Sequence, residues 1–83
     1  MYTSITAANI KVGMVVAVPS KVDFQLSKIV SVDYHSTNQE QLIVSVEDAP
    51  YAFVTWRYGY LIVTIESVLY PNNHKEVLEH LTS

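Results

Sequence analysis

Histidine and the carboxylates are the side chains best able to move protons or hold a metal, and this chain carries three His and eight Asp or Glu. Asp33 and His35 stand two apart in an alternating stretch, so both project from one face of a strand. That pair is the beginning of an acid–base couple or a metal site. A metal centre needs at least a third ligand, however, and no spacing in the chain supplies one. Two polar residues on a solvated face account for the pair more simply. His74 and His80 are six apart on a predicted helix and fall on different sides of it. Glu76 and His80 have the i, i+4 spacing of a surface ion pair. Glu66 stands alone in an apolar stretch, where a charge pointing outward near a sheet edge discourages unwanted strand pairing. There is no Gly-x-Ser-x-Gly elbow, and Gly13 and Gly59, the only glycines, cannot build a phosphate-binding loop. The expectation is a chain without catalytic residues, metal or cofactor, and so not an enzyme.

The aromatic residues are the stronger functional candidates. Six of the nine fall within residues 51–70, YAFVTWRYGYLIVTIESVLY. Trp56, Tyr58 and Tyr60 cluster around a turn with Arg57 between them. Exposed Trp, Tyr and Arg make up most binding hot spots. The same types stack single-stranded bases, with Lys28 as a cation for backbone contacts. The competing reading is that Trp56 and Phe53 fill the core and the tyrosines flank it. A tyrosine at the tip of a turn has few core atoms to touch, so Tyr58 is expected outside.

These residues need a scaffold, and the periodicity predicts strands. Tyr2–Ala8 can start extended, Ala7–Ile10 forms a short helical turn, and Gly13 can take a positive φ to redirect the chain. Met14–Val18 is a first strand stopped by Pro19, with a loop over Pro19–Asp23. Phe24–His35 alternates, with Leu26, Lys28, Val30, Val32 and Tyr34 on one face and Ile29, Ser31, Asp33 and His35 on the other. Ser36–Glu40 joins it to Gln41–Glu47, whose Leu42, Val44 and Val46 point inward. Asp48-Ala49-Pro50 ends that run. Tyr51–Arg57 and Tyr60–Leu69 are then expected to form a hairpin, with Gly59 left-handed in its turn. Val54, Trp56 and Leu61–Ile65 are assigned to the core, and the start of the last strand, apolar on both faces, is expected to be covered on both. Pro71-Asn72-Asn73 breaks the strand. Asn73 and Glu76 make a capping box for a helix over about 74–81, whose Val77, Leu78 and Leu81 stripe docks on the last strand.

Five strands and a short C-terminal helix predict a mainly β fold, a small antiparallel bent sheet or partly open barrel, in one domain over residues 1–83. Strand lengths and order are similar to those of Src-homology-type small barrels. The likeness is one of architecture, and no functional residue is implied by it.

Composition narrows the function. The chain is 49% hydrophobic and only 16% charged, where about a quarter is usual. Apolar surface in excess of what a small domain can hide points to a protein partner or a second copy of the chain. A net charge of −3, with five scattered Lys and Arg, argues against a general grip on duplex DNA. Single-stranded nucleic acid remains the second expectation. Absence of cysteine removes thiolate metal sites and disulfides, and points to the cytoplasm. No run is long enough for a membrane span, and the first residues lack the pattern of a signal peptide. The expected role is a non-catalytic binding module or accessory protein, of the kind common in phages and mobile elements.

Overall fold

Valine, isoleucine, threonine and tyrosine dominate the periodic stretches of this chain, and such residues favour a pleated, half-buried surface. The computed structural model describes residues 1–19, 23–35, 37–47, 53–71 and 74–82. It is mainly β, with strands β1 (Tyr2–Thr6), β2 (Val15–Pro19), β3 (Phe24–Tyr34), β4 (Gln41–Val46), β5 (Phe53–Trp56) and β6 (Tyr60–Thr64). A 3-10 turn covers Ala7–Asn9, and helices α1 (Ile65–Leu69) and α2 (His74–Thr82) close the order. Residues 20–22 of the expected Pro19–Asp23 loop, the Asp48-Ala49-Pro50 break, the Tyr51-Ala52 strand start and the Asn73 cap lie outside the described residues, as does the side chain of Leu81.

All pairings are antiparallel in one open sheet of order β1-β6-β2-β3-β4-β5. Two expectations change here. The extended start is a sixth strand, held on β6 in the register Tyr2↔Thr64, Ser4↔Ile62 and Thr6↔Tyr60. The expected β5–β6 hairpin does not form, because β5 pairs with β4 at one edge while β6 pairs with β1 and β2. The short connection between them instead bridges two distant parts of a bent sheet.

The core is built from Val16, Ile29, Leu42, Val44, Val46 and Val63 together with Ala7, Ile10 and Met14. Strand β4 follows its expected alternation without exception. Strand β3 does not, because the register shifts between Ile29, opposite Val46, and Ser31, opposite Ser45. Val30 is the additional residue, and it is exposed. A bulge of this kind bends the strand and switches the inward set of side chains. Ser27 and Ile29 face inward before it, and Val32 after it, so no single alternation describes the strand. Gly13, at φ 98°, holds the left-handed turn into β2. Gly59 does not have a positive φ.

The last strand ends at Thr64 rather than at Leu69. Thr64 is the N-cap of α1, and its Oγ1 accepts the Ser67 N–H at 3.2 Å. The Ser67 hydroxyl donates in return to the Thr64 carbonyl at 2.8 Å. Both residues are fully buried, and the reciprocal bonds satisfy groups that would otherwise be costly to bury. Glu66 therefore lies in the first turn of a helix, where its charge suits the dipole, and not on a strand edge. Its Oε1 is 3.5 Å from the Met1 amine.

Helix α2 packs on β2, β3 and α1, so of the expected last strand it meets the Ile65–Leu69 part, which is helical. Val15 and Val77 are both buried yet stand apart from the main core cluster. Val16 faces the core, so its neighbour Val15 faces outward, and α2 is what covers it.

Candidate functional site

Outward positions on β5 and β6 determine where the aromatic residues go. Phe53 and Thr55 are half-buried and Phe53 packs on the core, so Val54 and Trp56 point out. Trp56 is 56% exposed, and its assignment to the core, with that of Val54, is corrected. The cause is the missing hairpin: β5 takes its register from β4, with Trp56 opposite Gln41 and Phe53 opposite Val44. Tyr58 is 69% exposed and Tyr60 73%. Tyr60 and Ile62 lie on the outer face of β6, which is open at its start instead of covered.

The turn carrying these rings is fastened by backbone hydrogen bonds on both flanks. The Arg57 N–H donates to the Glu40 carbonyl at 2.6 Å, on the loop before β4. The Ala7 and Ala8 N–H groups donate to the Gly59 and Arg57 carbonyls at 2.7 and 3.0 Å. Within the turn, the Gly59 N–H donates to the Trp56 carbonyl at 2.9 Å. A Cβ on residue 59 would stand 3.2 Å from that same oxygen, so glycine suits the close approach, although not for the left-handed reason expected. A turn held in this way loses little further freedom on binding.

Arg57 lies between two rings. Its Cζ is 5.8 Å from the centroid of Tyr34 and 6.0 Å from that of Tyr58, near the outer limit of a cation–π contact. Tyr34 was not singled out by sequence, and it is exposed at the end of β3. An aromatic at a strand end, next to a polar loop, was the available signal. Arg57, Tyr34 and Asp33 also line a cavity of about 210 Å³ with Ala8.

Lys28 is not brought to this cluster. Its Nζ is 3.6 Å from Glu47 Oε2, and both line a depression beside α2 with Lys75. Glu47 and Gln41 lie at opposite ends of the β4 run, roughly 20 Å apart at strand rise, and Gln41 is the partner of Trp56.

Among the remaining titratable residues, Glu66, Tyr70, Glu76 and His80 line a shallow depression of about 240 Å³ with Val77. The Thr37 N–H donates to His35 Nδ1 at 3.3 Å, and the Thr37 hydroxyl is 3.1 Å from the same nitrogen, so that ring atom is engaged locally. His74 has its side chain outside the described residues. Among the described residues, no group of three or more His, Cys, Asp or Glu could hold a metal ion, and no helix is long and apolar enough to cross a membrane.

Sequence reasoning missed a second region. A groove of about 390 Å³ on the outer face of the sheet is lined by Tyr2, Ala17, Asp23, Phe24, Leu26 and Ile62. It was hidden because it draws residues from four strands whose order the sequence does not reveal. The comparisons with protein-family models, curated proteins and solved structures return no match for this chain.

Proposed function

We propose that the chain is a non-catalytic binding module that engages a protein partner through Trp56, Arg57, Tyr58 and Tyr60, in the cytoplasm. The observation that carries this reading is the fastened turn with three exposed aromatics and an arginine held between two tyrosine rings. Such side chains supply large contact area, and truncating a hot spot weakens binding by about 2 kcal/mol or more. Immobilised chain is expected to retain a partner from native lysate, while the Trp56→Ala, Tyr58→Ala double variant loses it and Glu47→Gln keeps it. Equal retention by the double variant removes the proposal.

The Arg57 arrangement also favours a second reading, stacking of single-stranded bases. Oligonucleotide would then quench the single tryptophan at low salt, and salt would relieve the quenching. The net charge of −3 places this second.

A further inference from the structure

We propose that the outer edge of β1 takes up an extended segment of a protein partner, which pairs along it as a further strand of the sheet. This edge is separate from the aromatic turn, and the proposal does not rest on the turn partner.

Hydrogen bonds at its two ends fix which way each residue of β1 points its backbone. The Ala7 N–H donates to the Gly59 carbonyl at 2.7 Å, and the Ile65 N–H donates to the Met1 carbonyl at 2.9 Å. Both bonds continue the β1–β6 register, in which Thr3 faces Val63 and Ile5 faces Leu61. Hydrogen-bonded and non-hydrogen-bonded pairs alternate along an antiparallel ladder. Residues 1, 3, 5 and 7 therefore turn their backbone groups toward β6, while Tyr2, Ser4 and Thr6 turn theirs away from it. The Thr6 carbonyl is taken by the 3-10 turn that begins at Ala7. What the edge presents is the N–H and C=O of Tyr2 and of Ser4, and the N–H of Thr6. Strand β1 ends the sheet, and β6 is the strand it packs along. Ser4 is exposed, so the row opens to solvent.

Sheet edges are usually guarded by charge, proline or a bulge. Strand β1 has none of these: its sequence is Tyr-Thr-Ser-Ile-Thr, and its register runs from Tyr2↔Thr64 to Thr6↔Tyr60 without a shift. The β5 edge is different. The Arg57 N–H on the Glu40 carbonyl fixes its alternation and turns Val54 and Trp56 outward, but the Trp56 carbonyl already accepts the Gly59 N–H. Among the described residues of β5, Val54 alone presents both groups. Backbone chemistry identifies the occupant at β1. Alternating donors and acceptors at strand spacing are matched by another extended backbone, and not by a helix, whose groups are bonded internally. Side chains narrow it further. Thr3 and Ile5 are half-buried, Ile5 against the core, so the residues opposite them share the inner side and are apolar. Those opposite Tyr2 and Ser4 face solvent. A second copy of β1 leaves groups unmatched, because in the antiparallel register centred on Ser4 each Tyr2 N–H meets an occupied Thr6 carbonyl. The partner segment therefore alternates apolar and polar residues and has no proline opposite Tyr2 or Ser4.

A fluorescein-labelled peptide of alternating valine and threonine, about seven residues long and flanked by lysines, is the probe. Its anisotropy is expected to rise and saturate with a Kd of about 10 µM to 1 mM. Hydrogen exchange at the Tyr2, Ser4 and Thr6 amides, faster in the chain alone than at Thr3 and Ile5, is expected to slow when the peptide binds. Ser4→Pro removes an outward N–H and no bond to β6. It is expected to weaken binding about tenfold or more, while Ser4→Ala binds as the native chain does. Should Ser4→Pro fail to give a native circular dichroism spectrum, the same contrast is read in the peptide. N-methylation of its threonines, which lie opposite Tyr2 and Ser4, abolishes binding, and N-methylation of its valines does not. The Trp56→Ala, Tyr58→Ala variant binds the peptide unchanged, so the two readings fail separately. No binding at about 1 mM peptide, equal binding by folded Ser4→Pro or by the threonine-methylated peptide, or protection at Val54 instead of Ser4 overturns the proposal. Exchange at Ser4 that slows with protein concentration alone assigns the edge to a second copy and overturns it as well.

Discussion

Strands β2 and β3 present apolar side chains outward at two places, and only one of them has a cover. At the first, Val15 stands opposite Lys28 and is fully buried, with α2 lying across both strands. At the second, Ala17 stands opposite Leu26, two residues along each strand, and the outer face opens into the groove bounded by Phe24, Ile62 and Tyr2. Val15 and Ala17 are both aliphatic, and their partners differ: Lys28 at the covered end is paired with Glu47, while Leu26 lines the open groove. A further difference lies in what crosses above them. An apolar outer position is therefore not evidence of burial within one chain; it shows that a cover is needed, and a local helix is one kind of cover.

Four substitutions sharpen that contrast, beginning with the most severe. Val15→Asp buries a carboxylate beneath α2, where Lys28 directly opposite offsets part of the desolvation cost, and about 3 kcal/mol of stability or more is lost, read from the urea midpoint. In dilute protein, Phe24→Ser on the open groove costs less than about 0.5 kcal/mol, because the site is already wet. If the two losses are similar, the covered and open ends are not different environments. Val77→Ala acts on the cover itself. It removes two methyl groups from the buried side of α2 and costs about 1.5 kcal/mol, with Trp56 emission unchanged. The smallest effect is expected at the covered end's outer border. Glu47→Gln breaks the Lys28 pair at 3.6 Å, but Glu47 is half exposed, and the change stays below about 0.5 kcal/mol in thermal unfolding.

Legibility from sequence varied with how local the cause was. The inward set of β4 was readable because nothing interrupts its alternation. The 3-10 turn after β1 and the positive φ of Gly13 were readable for the same reason, each being a property of a few adjacent residues. Strand β3 was misread because a single bulge at Val30 reverses the sides, and no residue type marks it. The end of β6 carried a cue that its β-branched composition overrode: Thr64 with Glu66 close behind is a helix start, yet Ile65, Val68 and Leu69 prolong the look of a strand. The candidate turn was found from composition alone, since Trp, Arg and Tyr around a glycine stand out in a chain with so little charge. The alternation of β5 was readable, but which of its two faces points outward is set by its pairing with β4, and so the side taken by Trp56 was not. Tyr34 and the groove depend on strand order, which is decided by contacts far apart in the sequence.

The pairing of β1 with β6 has a consequence for how the molecule assembles. It joins positions 2 and 64, and closing so long a loop carries an entropy cost that nearby contacts do not. Tyr2 and Ile62 come together only when that closure is made. Fragments containing β2–β4 can collapse early and still present no complete groove. The outer-face groove thus comes into being late in folding, once both ends of the chain have met.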